Sequence, residues 1–253
     1  MLWRRPVTTP EFNRPIQELL DSAKAPETEV TVRTLTRGPK HVEYHYYTAL
    51  VLADTLRQIK KAEQEGYDGA IIACFYDPGL REAREITQRM VVAGPGESAM
   101  HIAANLGRSF SIIVGRKKWI PRMHENVVSY GFENRLASFK SVDLGVLEFR
   151  KDIPETERRL LAAAREAVEE DMAEVIILGC TMEFGFYRKL QDELKVPVID
   201  AILAPFKYTE FLIELKKRMN WGHSQAYDYE PPPRQEIEDW NLVEDYGLGD
   251  VWD

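Results

Sequence analysis

The chain has 253 residues, a hydrophobic content of 44% and a formal net charge of −8. This length allows one large domain or two small ones around an apolar core, and the negative charge argues against a nucleic-acid partner. The sequence lacks both a run of about 18 apolar residues and an apolar leader in its first 20 residues, so we expect no membrane partner and a cytoplasmic location.

Short apolar, β-branched runs alternate with amphipathic stretches along the chain. Strands are predicted over 28–35, 69–74, 90–94, 109–115, 173–180 and 196–200. Helices are predicted over 11–23, 48–65, 79–89, 97–106, 155–170, 184–194 and 202–219. This alternation is typical of βαβ units, and the fully apolar strands indicate mostly parallel sheets flanked by helices on both faces.

An internal repeat links two parts of the chain at an offset of 106 residues. The run Ala-Ile-Ile-Ala-Cys at 70–74 matches Ile-Ile-Leu-Gly-Cys at 176–180, and 92–94 falls on 198–200 at the same spacing. We therefore predict an α/β fold of two pseudo-symmetric subdomains with the active site in the cleft between them. Each subdomain would deliver a cysteine at the carboxyl end of a strand, where open α/β sheets place their ligand sites.

The predicted domain boundaries follow from this repeat. The first half comprises 1–107 and 201–220, the second half 108–200, and residues 221–253 form an acidic C-terminal extension. The extension holds nine acidic residues and one arginine, so its charge of −8 equals that of the whole chain. Because it also carries aromatic residues, it is expected either to pack on a neighbouring subunit or near the cleft, or to remain unattached.

Cys74 and Cys180 are the only cysteines, and they occupy equivalent strand ends in the repeat. Two cysteines are too few for a disulfide framework, so we expect reduced thiols. A cysteine that ends an apolar strand is commonly a buried hydrophobe, but the paired positions favour a function. Two thiols on opposite sides of a carbon beside a carbonyl can remove and return a proton without cofactor or metal.

The residues that follow Cys74 predict how its thiol is activated. Asp77 and Pro78 have the pattern of an N-cap and a first helical position, and the positive end of that helix would lower the pKa of Cys74. Backbone amides in the turns after both cysteines would hold the oxygens of the substrate and of a transient enolate.

Two other patterns compete with this interpretation. Residues 94–99 fit a loose GxGxxA dinucleotide fingerprint, but Pro95 removes a backbone N–H and an isolated fingerprint is weak evidence. His41 and His45 lie four apart as zinc ligands sometimes do, although a nearby third ligand is missing. With the tyrosines around them they are expected to form a polar-aromatic lining or interface.

Several segments resemble the aspartate/glutamate/hydantoin racemase superfamily, and hydantoin racemases in particular. The segment 73–85 is similar to the first cysteine motif of hydantoin racemases and 178–180 to the second. Further similarities occur at 38–39, 42–44, 96–99, 130–132 and 196–200, so the resemblance extends over roughly 28–218. It implies an isomerase that needs no pyridoxal phosphate and forms homo-oligomers. It also implies that Cys74 and Cys180 are the catalytic pair, with Phe75, Tyr76, Thr181 and Met182 as the nearest wall residues.

The chain departs from the family pattern at two places that concern the substrate. Where the family's first strand ends in an Asn-Pro-Asn turn, residues 2–9 read Leu-Trp-Arg-Arg-Pro-Val-Thr-Thr, so Arg4 or Arg5 is expected to meet an anionic group. Met182 stands where glutamate racemases have histidine, which favours a hydantoin-like ring over an amino acid. The alternatives are a cysteine-dependent isomerase or decarboxylase of a small dicarboxylate, and a non-catalytic ligand-binding α/β protein.

Overall fold

The computed structural model describes residues 2–4, 10–35 and 37–247, which form two four-stranded parallel sheets. The first sheet has the order β2-β1-β3-β4, with β1 at Leu2–Arg4, β2 at Val32–Thr34, β3 at Gly69–Ile72 and β4 at Val91–Ala93. The second has the order β6-β5-β7-β8, with β5 at Phe110–Val114, β6 at Leu136–Ser141, β7 at Val175–Leu178 and β8 at Val198–Ile199. The predicted α/β class with parallel sheets is confirmed.

Helices connect the parallel strands and cover the sheets. The first four in chain order are α1 (Pro10–Ala23), α2 (His45–Gln64), α3 (Leu80–Ile86) and α4 (Pro95–Leu106), of which α4 packs on β7 of the second sheet. They are followed by α5 (Ile120–Ser129), α6 (Ile153–Glu169), α7 (Tyr187–Leu194) and α8 (Leu203–Met219). Two short helices, α9 (Arg234–Asp239) and α10 (Leu242–Asp245), lie in the C-terminal extension.

The repeat seen in the sequence is present in the strand pairing. In the first sheet Ala70 pairs with Val92, and in the second Ile176 pairs with Val198, so both partners are displaced by 106 residues. The two sheets also share one strand order, in which the second strand of each lies at an edge beside the first. The two sheets are therefore built on one plan, as the offset predicted.

Apolar side chains on both faces of the strands explain why the strands are continuously hydrophobic. Ala70 and Ile72 of β3 pack in one buried cluster, while Ile71 and Ala73 pack in another on the opposite face. Successive side chains of a strand point to opposite faces, so a strand covered on both sides must be apolar throughout. Helix α8 returns from the second sheet to pack on β3 and β4.

Strand β6 and helix α5 are present in the structure but were not predicted from the sequence. The sequence of β6, Leu-Ala-Ser-Phe-Lys-Ser, is half-buried throughout because the strand lies at the sheet edge. Edge strands keep polar residues and so lack the unbroken apolar run that marked the central strands. In α5 only Met123 and Val127 are buried.

The C-terminal extension packs against the first sheet of its own chain. The Val92 amide of edge strand β4 donates to His223 Nε2 at 3.0 Å, and the Gln225 amide group donates to the Arg84 carbonyl at 3.1 Å. Further along, Arg57 donates to the Tyr246 carbonyl at 2.7 Å, and Ile237 is buried. The extension thus covers a strand edge that would otherwise be exposed.

Within 2–4, 10–35 and 37–247, no helix combines the length and the apolar character needed to cross a bilayer.

Candidate active site

A pocket open to solvent, with about 280 Å³ of empty space including its open part, lies where the carboxyl ends of strands from both sheets meet. It is lined by Val42, Glu43, Cys74, Phe75, Tyr76, Trp119, Met123, Val146, Gly179, Cys180 and Thr181. These residues come from the segments that follow β2, β3, β5, β6 and β7. The position agrees with the general rule that parallel α/β sheets bind ligands beyond their strand carboxyl ends.

The two cysteines occupy matching positions in this cavity wall. Cys74 stands two residues after the end of β3, and Cys180 stands two residues after the end of β7. Cys74 is half-buried and Cys180 is buried, and both are thiols in the described part of the chain. One pocket is therefore lined by a thiol from each sheet.

A direct hydrogen bond joins the two cysteine loops. The Thr181 hydroxyl, next to Cys180, donates to the carbonyl of Ala73, next to Cys74, at 3.3 Å. Both groups are buried, and they are 108 positions apart in the sequence. Because a buried carbonyl without a partner is costly, this contact ties the two loops to one another.

Two reciprocal hydrogen bonds link Cys180 and Glu183 in the turn that follows β7. The Glu183 amide donates to the Cys180 sulfur, and the Cys180 amide donates to the Glu183 carboxyl group at 3.2 Å. A donor directed at sulfur stabilises the thiolate relative to the thiol. Burial raises the pKa of Glu183 well above its usual range, so the neutral carboxyl form is favoured beside the cysteine.

Arg150 binds the backbone of the same turn. Its guanidinium donates to the carbonyls of Met182 and Phe184 and stacks 3.7 Å from the Phe184 ring centroid. Burial lowers the pKa of Arg150 to about 10, while Asp200 and the Cys180 thiol oppose that shift. The arginine therefore remains charged at neutral pH and holds the backbone that follows Cys180.

The predicted helix cap after Cys74 is wrong. Helix α3 begins at Leu80 with Gly79 as its N-cap, and Asp77 has a left-handed φ of 48°. The Asp77 carboxyl group instead accepts hydrogen bonds from the amides of Gly96 at 2.9 Å and Glu97 at 2.8 Å, at the start of α4. The local pattern resembled a cap, but the fold brings a different helix start, 19 residues away, to the same carboxyl group.

This contact also explains the glycines of the GxGxxA pattern. A Cβ added to Gly96 would lie 2.8 Å from an Asp77 carboxyl oxygen and 2.9 Å from the Phe75 carbonyl. The amides that would bind a pyrophosphate in a dinucleotide fold are thus occupied by an internal carboxyl group. The arrangement argues against a nucleotide at this helix.

Glu43 lines the cavity but is not among the site residues predicted from the sequence. Its buried carboxylate accepts hydrogen bonds from Arg116 Nη1 at 2.9 Å, Trp119 Nε1 at 3.3 Å and the Val146 amide at 3.0 Å. Burial opposes ionisation, but these donors lower the pKa of Glu43 below its usual value. The only signal in the sequence was the Val42-Glu43-Tyr44 similarity to the family.

The predicted site residues fall into three groups. Phe75, Tyr76 and Thr181 line the cavity together with both cysteines. Met182 is buried in the core and is absent from the described residues that line the cavity. Arg5 lies outside the described residues, and of Arg4 only the backbone is described.

His41 belongs to an aromatic group beside the cavity. Its ring centroid lies 5.9 Å from that of Tyr44 and 5.4 Å from that of Tyr47, and its Nδ1 lies 3.6 Å from a Glu43 carboxylate oxygen. His45 is the first residue of α2. Among the described residues, no three side chains of the His, Cys, Asp or Glu type are grouped as a metal site.

Fold and site together define an α/β protein with two related parallel sheets and a small-molecule cavity walled by a thiol from each. Comparison with known families places the chain more closely. Residues 5–209 match the family described as Asp/Glu/Hydantoin racemase, so the chain belongs to this family and is an isomerase of the racemase type. Because members of this family are enzymes, the chain is an enzyme rather than the non-catalytic binding protein considered above.

Individual relatives support the same placement. The chain is 34% identical over 231 residues to a hydantoin racemase of Pseudomonas sp. strain NS671, with 91% of each chain covered. It is 39% identical over 202 residues to a hydantoin racemase of Paenarthrobacter aurescens, covering 79% of this chain and 84% of the relative. The solved allantoin racemase of Klebsiella pneumoniae is 30% identical, has a TM-score of 0.84 and covers 92% of this chain and 93% of its own.

Proposed function

We propose that this enzyme racemises a hydantoin-like compound by proton transfer between Cys74, the substrate carbon and Cys180, without a cofactor. The observation that supports the proposal most directly is that both thiols line one cavity, each two residues beyond an equivalent strand. The relatives named above, which are hydantoin and allantoin racemases, support a five-membered ring with an acidic C–H beside a carbonyl.

The chemistry requires one thiolate and one thiol. The thiolate removes the proton from the ring carbon, the C–H electron pair moves into the adjacent carbonyl to give an enolate, and the opposite thiol returns a proton to the other face. The Glu183 amide stabilises the sulfur of Cys180 as the thiolate. After one turnover the two cysteines have exchanged protonation states, so the enzyme is ready for the opposite enantiomer.

The apolar cavity wall assists this exchange. Phe75, Trp119 and Val146 are buried side chains that restrict water near the reacting carbon. Excluding water strengthens electrostatic interactions in the site and keeps bulk solvent from quenching the enolate on a random face.

Isotope exchange in deuterated water tests the proposal. With one enantiomer of 5-methylhydantoin, the wild type is expected to give inverted product that carries deuterium at carbon 5. Cys74→Ser and Cys180→Ser should each lose inversion, because one face then lacks a proton donor or acceptor of suitable pKa. Each variant should still exchange the hydrogen of the one enantiomer that faces its remaining thiol.

Matched controls separate catalysis from folding and from background chemistry. A sample without enzyme measures uncatalysed exchange, and circular dichroism checks that the serine variants fold. Wild-type inversion by either serine variant would overturn the two-cysteine assignment. Release of carbon dioxide from a malonate, or isomerisation of maleate, without hydantoin racemisation would favour the alternative activities. Homo-oligomerisation and a cytoplasmic location stay predictions, and light scattering checks the first.

A further inference from the structure

Among the described residues that line the cavity, Glu43 is the sole aspartate, glutamate, lysine or arginine. The remaining described wall consists of apolar or aromatic side chains, Gly179, Thr181 and the two thiols. A carboxylate in such surroundings exerts an electrostatic effect that water screens only weakly. The charge on this residue therefore bears directly on which substrates can enter.

The three donors to Glu43 keep it ionised and fix its position. Glu43 precedes α2, whereas Arg116, Trp119 and Val146 all follow strands of the second sheet. Trp119 and Val146 also line the cavity. The carboxylate thus holds two wall residues in place and presents a fixed negative charge to the bound molecule.

Arg116 offsets this charge from outside the cavity. Its guanidinium lies 2.9 Å from the Glu43 carboxylate, but its side chain is 41% exposed and does not belong to the described cavity lining. Solvent screens an exposed cation more strongly than a buried anion. The ion pair therefore leaves part of the Glu43 charge uncompensated on the cavity side.

We infer that Glu43 is a specificity-determining residue that excludes carboxylate ligands and selects neutral rings bearing N–H donors. The inference rests on the proposed function and extends it to discrimination between a hydantoin and its ring-opened form. The two compounds share their atoms apart from one water molecule, but the opened N-carbamoyl amino acid carries a carboxylate. Repulsion by the Glu43 carboxylate raises the free energy of only the charged ligand in the site.

Calorimetric titration at pH 7 with 5-methylhydantoin and N-carbamoylalanine tests this without requiring turnover. The measured quantity is the ratio of the two dissociation constants. Glu43→Gln removes the charge with little change in volume and should reduce the preference for the neutral ring by about tenfold or more, equivalent to at least ~1.4 kcal/mol. Arg116→Gln removes the offsetting cation and should increase the preference. Glu125→Gln is the charge-matched control, because Glu125 is exposed on α5 and lies outside the described cavity lining.

The opposite directions expected for the two variants separate an electrostatic role from a structural one. If Glu43→Gln weakens both ligands equally, or Arg116→Gln leaves the ratio unchanged, the assignment is wrong. A wild type that binds neither compound, or binds the carboxylate as well as the ring, would also overturn it. Selective binding of the ring without inversion would sustain the role of Glu43 while refuting the proposed racemisation. If Glu43→Gln does not fold, the exposed Arg116 variant still decides the question.

Discussion

The hydroxyl of Thr181 and the carbonyl of Ala73 are joined by a 3.3 Å hydrogen bond that spans the two sheets. Each of these residues is the immediate neighbour of one cysteine, so the bond sets how the Cys74 and Cys180 loops lie relative to each other. A proton transfer between two bases depends steeply on their placement, since a 1 Å displacement can cost about 100-fold in rate. Removing this hydrogen bond should therefore change the relative position of the two cysteine loops without altering either sulfur.

Thr181→Val keeps the shape of the side chain and removes the hydroxyl donor. It should lower the free energy of unfolding by about 1–3 kcal/mol, because the Ala73 carbonyl loses its buried partner. On the proposed mechanism, kcat should fall by about tenfold or more. Thr181→Ser retains the hydroxyl and should keep most of both properties. Chemical denaturation and polarimetry measure the two effects, and equal activity of the Val and Ser variants would contradict the prediction.

Glu183 is expected to support the Cys180 loop through its carboxyl oxygen. Glu183→Ala leaves the buried Cys180 amide without its acceptor and should cost about 1–3 kcal/mol of stability. Glu183→Gln retains an acceptor oxygen and should preserve the fold, as thermal unfolding can verify.

We expect Glu183→Gln also to change the pH profile of kcat. Because burial raises the pKa of Glu183, its anion forms only as the pH rises, and that anion opposes loss of the second proton from the cysteine pair. The alkaline limb of the kcat profile should therefore lie at lower pH in Glu183→Gln than in the wild type. Identical alkaline limbs would limit Glu183 to a structural role.

Asp77 should make the stability of the fold depend on pH. Burial raises the pKa of Asp77 to about 7 from its usual 3.8, against the opposing hydrogen bonds from the α4 amides and Tyr130. A carboxyl group whose folded-state pKa is raised stabilises the folded state most below its unfolded pKa, and this contribution is lost as the pH rises towards 7. The contribution of Asp77 to the free energy of unfolding, measured by urea titration between pH 4 and 8 as the difference between the wild type and Asp77→Asn, should therefore fall with rising pH.

Asp77→Asn isolates that contribution. Asparagine tolerates the left-handed φ of this position but does not titrate. The variant should lose about 1 kcal/mol or more through weaker capping of α4, and this loss should shrink as the pH rises towards 7. The variant should keep a pH dependence of its own, because burial also raises the pKa values of Glu183 and Asp200 and lowers that of His223. An unchanged slope would show that Asp77 is ionised throughout.

The C-terminal extension should stabilise the first sheet in a pH-dependent way. Burial, reinforced by the positive charge of Arg84, lowers the pKa of His223 to about 4. The neutral ring accepts the Val92 amide, and the depressed pKa means that this stabilisation is present above about 6.5 and is lost as the pH falls towards 4. Glu97 and Lys216 also act on this histidine, in opposite directions.

Truncation after residue 220 should lower the melting temperature and promote aggregation, since it exposes edge strand β4. A chain ending at residue 247 keeps every described contact of the extension and serves as the matched control. The stability difference between the two chains should shrink as the pH falls from 7 to 5. A difference that is absent at pH 7 would show that the extension contributes nothing to the fold.

Much of the architecture was accessible from local sequence patterns. The continuous apolar runs at 69–74 and 173–180 predicted strands buried on both faces, because only such strands must be hydrophobic at every position. Their common offset and the cysteine that ends each run indicated two equivalent loops. These features depend on residues that are neighbours in the chain, so periodicity and spacing were sufficient to find them.

Local patterns in the chain were thus sufficient for the class of fold, the repeat and the two thiols that end equivalent strands. Three features emerged from the folded chain alone: Asp77 caps α4 and not α3, Glu43 is a cavity wall residue held by three donors that follow strands of the second sheet, and Met182 belongs to the core. The two sets differ in the range of the interactions that produce them. The burial of a strand can be predicted from the residues of that strand. The partner of a buried carboxyl group depends instead on which distant backbone amides the folded chain brings within about 3 Å of it.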